Sequence, residues 1–242
     1  MIGILDVVDC GADVWSIGKQ LGDRRFVCDE GGDLFGMAGD QGQPGDGPTT
    51  ATEYIGRAPT DRVDPHAVDL LYPDAAANWA SEIQTRFGRI DGLLHLVGGY
   101  RGGDSIHTFD LADYDFLHDL LVRTLQHTTR AFHSAIAASN HGRFVLVSSA
   151  AAQTPEDANA AYASAKAAAE AWTLALADSF AGTRATANII VVNAIETPAM
   201  RTDTPETERP TFTPAEDLAD AIAFLCSDSA SRMNGQRLSL HP

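Results

Sequence analysis

The sequence predicts a doubly wound α/β domain, a parallel sheet in three α/β/α layers with helices on both faces, formed by a single unit spanning residues 1–242. Two observations carry that prediction. From residue 68 onward short apolar runs alternate with long helical stretches, and strand, helix, strand in strict alternation folds as right-handed crossovers onto a parallel sheet. A chain of 242 residues, 44% hydrophobic and 21% charged, also has the apolar content for one large core rather than two small ones.

Taken in order, VDLL (68–71), LLHLV (93–97), FVLVSS (144–149), ANIIVV (187–192) and RLSL (237–240) read as buried strands. Between them DAAANWASEIQTRFG, with Asp74 as N-cap, LADYDFLHDLLVRTLQHTTRAFHSAIAAS, AAYASAKAAAEAWTLALADSF and PAEDLADAIAFLCS read as helices. Residues 1–65 diverge from this order. DVV and RRFVC read as strands, whereas residues 31–47 hold seven glycines without a helical period and read as a loop.

The net charge of −16 repels a phosphate backbone and an anionic bilayer, which argues against nucleic acid and membrane surfaces as partners. The three cysteines, Cys10, Cys28 and Cys226, show no C-x-x-C spacing, so neither a disulfide framework nor a metal site is expected. The closest histidine pair on one element, His127 and His133, falls on different faces of a helix. Asp6 and Asp9 interrupt the N-terminal apolar stretch, no run of 18 apolar residues follows, and the expectation is a cytoplasmic protein.

The chemistry gathers around YASAK, residues 162–166. The chain has only two lysines, Lys19 and Lys166, and Lys166 lies one helical turn beyond Tyr162. A cation beside a phenol in a dry cleft lowers its pKa; moving it from ~10 to ~7 takes roughly 4 kcal/mol of preferential phenolate stabilisation. Thirteen residues upstream, Ser149 ends FVLVSS at the carboxyl edge where open α/β sheets bind ligands, well placed to hold a carbonyl oxygen.

VLVSS followed by YASAK closely resembles the active-site segment of the short-chain dehydrogenases/reductases, and the resemblance runs over about residues 66–240. It implies a Rossmann-like fold and an NAD(P)-dependent oxidoreductase that interconverts a small-molecule ketone and a secondary alcohol. Tyr162 becomes the general acid or base, Lys166 lowers its pKa and holds the nicotinamide ribose, and Ser149 orients the carbonyl. DGLLHLVGG resembles the dihydropteridine-reductase-like branch, with Gly98 giving the cofactor close backbone approach. The same resemblance assigns Asp69, Leu70, Ile195 and Thr197 to the cofactor site, whereas Leu121 stands where the family carries a proton-relay asparagine. Tyr100, Arg101, Thr154 and the proline-rich stretch 198–213 are expected to line and cover the pocket, Arg101 with a role toward an anionic group.

The family's phosphate loop, T-G-x-x-x-G-x-G, finds its nearest N-terminal counterpart in GADVWSIG, giving Gly11, Ser16 and Gly18 as cofactor contacts. Asp29 after RRFVC then accepts from the adenosine ribose hydroxyls, which favours NAD(H) over NADP(H), the alternative being that Asp29 is a turn residue and Arg24 and Arg25 favour NADP(H). Two glycines of the pattern are replaced, and the span to Asp29 is too short for a full helix and strand. A divergent working loop, a rebuilt segment that no longer binds a dinucleotide and a corrupted reading frame all stay open. Loss of the dinucleotide would leave a catalytically silent binding or scaffold subunit. The resemblance also implies a homodimer or homotetramer packed through helices 111–139 and 160–180.

Overall fold

The computed structural model describes residues 26–29, 68–196 and 211–241. Five parallel strands form the main sheet in the order β1 (Phe26–Asp29), β2 (Gly92–His95), β3 (Arg143–Ser149), β4 (Thr186–Val192) and β7 (Arg237–Ser239). A separate two-stranded parallel ladder joins β5 (Ala194–Glu196) to β6 (Phe212–Pro214). The helices are α1 (Pro73–Phe87), α2 (Leu111–His118), α3 (Thr124–Ala138), α4 (Ala160–Ser179) and α5 (Ala215–Cys226).

Burial on both faces explains why β3 and β4 read as unbroken apolar runs. Leu93, Phe144, Leu146, Ile189 and Val191 pack into the core shared with α1, α3 and α4. Leu94, Val145, Val147, Ile190 and Val192 meet α5 residues such as Leu218 and Ile222. The doubly wound three-layer arrangement is the one expected.

Several elements differ locally from their expected form. VDLL is not a strand among the described residues: the Asp69 carboxylate accepts from Leu71 N at 3.0 Å and its carbonyl accepts from Tyr72 N at 3.2 Å, which closes a turn just before Pro73. The N-cap of α1 is Tyr72 rather than Asp74, because Pro73 supplies the first helical residue and Asp74 sits in the first turn. Gly88 ends that helix at φ 75°, a left-handed conformation that glycine adopts without a Cβ penalty. The long helix expected after residue 111 is broken by a π-helical turn at Asp119–Arg123, where Thr124 Oγ1 donates to Leu120 O.

The first strand is placed differently from the sequence assignment. In the doubly wound order 3-2-1-4-5-6 the neighbour of the fourth strand is the first. RRFVC, read as the second strand, supplies β1, and β1 pairs directly with β2, Asp29 in register with His95. DVV and the glycine-rich stretch 31–47 lie outside the described residues.

Candidate active site

β3 and α4 bring Ser149, Tyr162 and Lys166 together at the carboxyl edge of the sheet. β3 ends at Ser149, whose hydroxyl accepts from Ala151 N at 3.2 Å and so caps the short 3₁₀ turn that follows. α4 begins at Ala160, which sets Tyr162 and Lys166 on consecutive turns of one face. The serine hydroxyl acts on the Tyr162 phenol, favouring its ionised form. Lys166, 6% exposed, donates from Nζ to Val147 O at 3.0 Å and lies 5.9 Å from the Tyr162 ring centroid.

The electrostatics correct the expected phenol. Burial pushes Tyr162 up to about 12, against the opposing hydrogen bond from Ser149 and with a smaller upward push from Tyr100. Burial also brings Lys166 down to about 8. The ammonium is directed at a strand carbonyl rather than at the phenol oxygen, so desolvation outweighs its attraction and the depressed phenol pKa is not found in the protein alone. Tyr100 stands against Tyr162 in a T-shaped contact, centroids 5.0 Å apart, at the mouth of the site.

Gly98 is buried just beyond β2, at the same edge. Ile195 is half-buried in β5 and packs toward the core under α5. Leu70 is buried and its carbonyl accepts from His127 Nδ1 at 2.8 Å, while the Asp69 carboxylate is engaged in its own turn. Asp29 ends β1, with its side chain outside the described residues, as are Gly11, Ser16, Gly18 and Thr197. Leu121 is buried inside the π-helical turn and offers no polar side chain there. Arg101 pairs with Asp113 and lies 3.7 Å over the Phe116 ring, so its charge is already met within the protein. A groove of about 790 Å³ between α1 and α3 is lined by Ser81, His127 and Arg130 and by none of Ser149, Tyr162 or Lys166.

The donors present suit a sugar of a dinucleotide. Among the described residues Lys166 Nζ makes one side-chain hydrogen bond, to Val147 O, and an ammonium has three N–H groups. No group of histidine, cysteine and acidic residues that would hold a metal occurs among the described residues. The sequence reading passed over Ser148 and Glu170, whose side chains meet at 2.6 Å beneath the site; the signal was there, since Glu170 lies four residues beyond Lys166.

A parallel sheet of this order with helices on both faces defines the Rossmann-like, doubly wound class. Comparison with known proteins narrows the class. Residues 42–240 match the family described as "Enoyl-(Acyl carrier protein) reductase". Oxidoreductase UcpA of Escherichia coli K12 is 30% identical over 202 residues, 76% of each chain. The 3-oxoacyl-acyl-carrier-protein reductase FabG of Thermotoga maritima is 26% identical over 188 residues, 74% of this chain and 76% of its own. The solved structure "ElxO with NADP Bound" shares the fold at a TM-score of 0.68 and 17% identity, over 74% of this chain and 77% of that one. The chain belongs to the short-chain dehydrogenase/reductase family, NAD(P)-dependent oxidoreductases.

Proposed function

We propose that the protein interconverts a ketone and a secondary alcohol on a small molecule, with Tyr162 as the acid or base. The observation that carries this reading is the cluster at the end of β3, with Lys166 seated on Val147 O, 5.9 Å from the Tyr162 ring centroid, and Ser149 acting on the phenol. Ser149 donates to the carbonyl oxygen and fixes its distance from the phenol. Tyr162, protonated throughout the neutral range because burial raises its pKa, gives its proton to that oxygen as negative charge develops there. The bound dinucleotide supplies the hydride. Lys166, charged below pH of about 8, donates its remaining N–H groups to the nicotinamide ribose and adds positive charge near the phenol.

Gly98, Asp69, Leu70 and, at the nicotinamide end, Ile195 and Thr197 complete the cofactor site in this reading. For the pyrophosphate, the reading keeps Gly11, Ser16 and Gly18, which lie outside the described residues. Asp29 ends β1, and the preference for NAD(H) rests on no other residue. The LVGGY loop supports kinship with the dihydropteridine-reductase-like branch.

A homo-oligomer through α3 and α4 fits their side-by-side packing, tied by Trp172 Nε1 donating to Thr129 Oγ1 at 2.9 Å, and the partly exposed Leu174. No described helix is long and apolar enough to cross a membrane, and a cytoplasmic setting is part of this reading. The test is reduction of a panel of activated diketones with NADH and NADPH, following nicotinamide absorbance. Turnover lost in Tyr162→Phe supports the reading, and equal turnover in that variant overturns it.

A further inference from the structure

The face of helix α4 that carries Tyr162 and Lys166 holds a third polar residue. Glu170 lies one more turn along, and it is 1% exposed. Its Oε1 accepts from Ser148 Oγ at 2.6 Å, and its other carboxylate oxygen is paired with Arg237 of β7. The carboxylate is therefore held from two strands, one of them the strand that ends in Ser149.

Stability alone is a poor reason for this arrangement. Taking a carboxylate out of water costs several kcal/mol, and a well-packed apolar side chain of similar volume in place of a buried ion pair is often neutral or stabilising. What the buried carboxylate adds is direction: its hydrogen bond from Ser148 fixes where α4 sits along β3. Two successive β3 residues each hold one α4 side chain, Val147 through its carbonyl to Lys166 and Ser148 through its hydroxyl to Glu170, and the next, Ser149, acts on Tyr162. A slip of α4 by one residue moves its side chains about 1.5 Å along the axis and turns them by about 100°, enough to break both hydrogen bonds.

We propose that Ser148, Glu170 and Arg237 form a clamp that sets the register of α4 against β3, with Glu170 acting as a positioning residue for Lys166 and Tyr162. The clamp rests on the proposed role of those two residues, and its test reads Lys166 directly. The chain has only two lysines, so competitive acetylation with acetic anhydride, followed by peptide mass spectrometry, resolves the titration of Lys166 from that of Lys19. In the unaltered protein the Lys166 midpoint is expected at about 8.

In Ser148→Ala and Glu170→Gln the amine leaves its seat and its midpoint rises by about one unit or more, a ~10-fold fall in the neutral fraction at pH 7. Arg237→Lys keeps the pairing charge and the midpoint, whereas Arg237→Met shifts it. If Glu170→Gln does not fold, Ser148→Ala, which removes only one hydroxyl, decides the matter. An unchanged Lys166 midpoint in Ser148→Ala and Glu170→Gln, with only the thermal midpoint lowered, overturns the proposal and makes Glu170 a core residue. So does a midpoint near 10.5 in the unaltered protein, since Lys166 then has no buried seat to lose. Full turnover in Tyr162→Phe would sink the functional reading while leaving the acetylation result to judge the clamp.

Discussion

Replacing Lys166 by methionine is expected to stabilise the protein at neutral pH while abolishing its activity. Lys166 is 6% exposed and burial brings its pKa from 10.5 to about 8. At about 1.4 kcal/mol per pKa unit, that lowering is a penalty of about 3 kcal/mol on the charged form, carried by the folded state. Methionine keeps most of the apolar stem and removes the charge, at the loss of one hydrogen bond to Val147 O worth about 1 kcal/mol. The expected net gain is about 2 kcal/mol at pH 7, or about 4–8 °C in Tm for a chain of this size.

The pH dependence distinguishes this origin from better packing. Between pH 8 and 10.5 the unfolded chain still binds the lysine proton and the folded one does not, so the unaltered protein gains stability as pH rises through that window. The advantage of Lys166→Met therefore shrinks toward zero by pH ~9.5. Urea denaturation of both proteins at pH 7 and pH 9.5 measures it. A methionine variant that is less stable at pH 7, or a difference that does not change with pH, refutes the reasoning.

Other consequences concern the same site and its support. Tyr162→Phe should lower turnover by ~10²–10⁴-fold with the dinucleotide still bound, read by steady-state kinetics and equilibrium binding. Lys166→Arg should keep the fold and lower turnover at least ~100-fold, because a planar guanidinium does not fit a seat built for a compact ammonium. In the protein without cofactor, ultraviolet titration should find one phenol, absent in Tyr162→Phe, that ionises near 12. Phe132→Ala should cost about 3–5 kcal/mol in chemical denaturation, since Phe132 is fully buried and packs edge-on against Trp79 at 5.1 Å.

How much of this was legible in the sequence depended on how local the cause is. YASAK and FVLVSS announce a helix face and a strand end by spacing alone, and the structure brings their three side chains together. The direction of the pKa shifts was not legible, because it depends on where Lys166 Nζ points, and Val147 O is nineteen residues away in the chain. VDLL looked like a strand by composition, yet a single aspartate carboxylate turning back on Leu71 N ends it. The π-helical turn at Asp119–Arg123 left no mark in the apolar periodicity. The place of RRFVC in the sheet was hidden for a different reason. Strand identity came from counting along the chain, whereas strand order is set by pairing, which only the β1–β2 ladder reveals.

The central claim is that this family member binds a nicotinamide dinucleotide at the edge where Ser149, Tyr162 and Lys166 meet, and it is most directly tested by titrating NADH and NADPH against the protein while following nicotinamide fluorescence. The account predicts saturable binding of at least one of them, weakened in Lys166→Met and weakened in the unaltered protein as pH rises above about 8, where the ammonium loses its charge. Absence of binding by either dinucleotide at millimolar concentration would contradict the account and leave a catalytically silent binding subunit in its place.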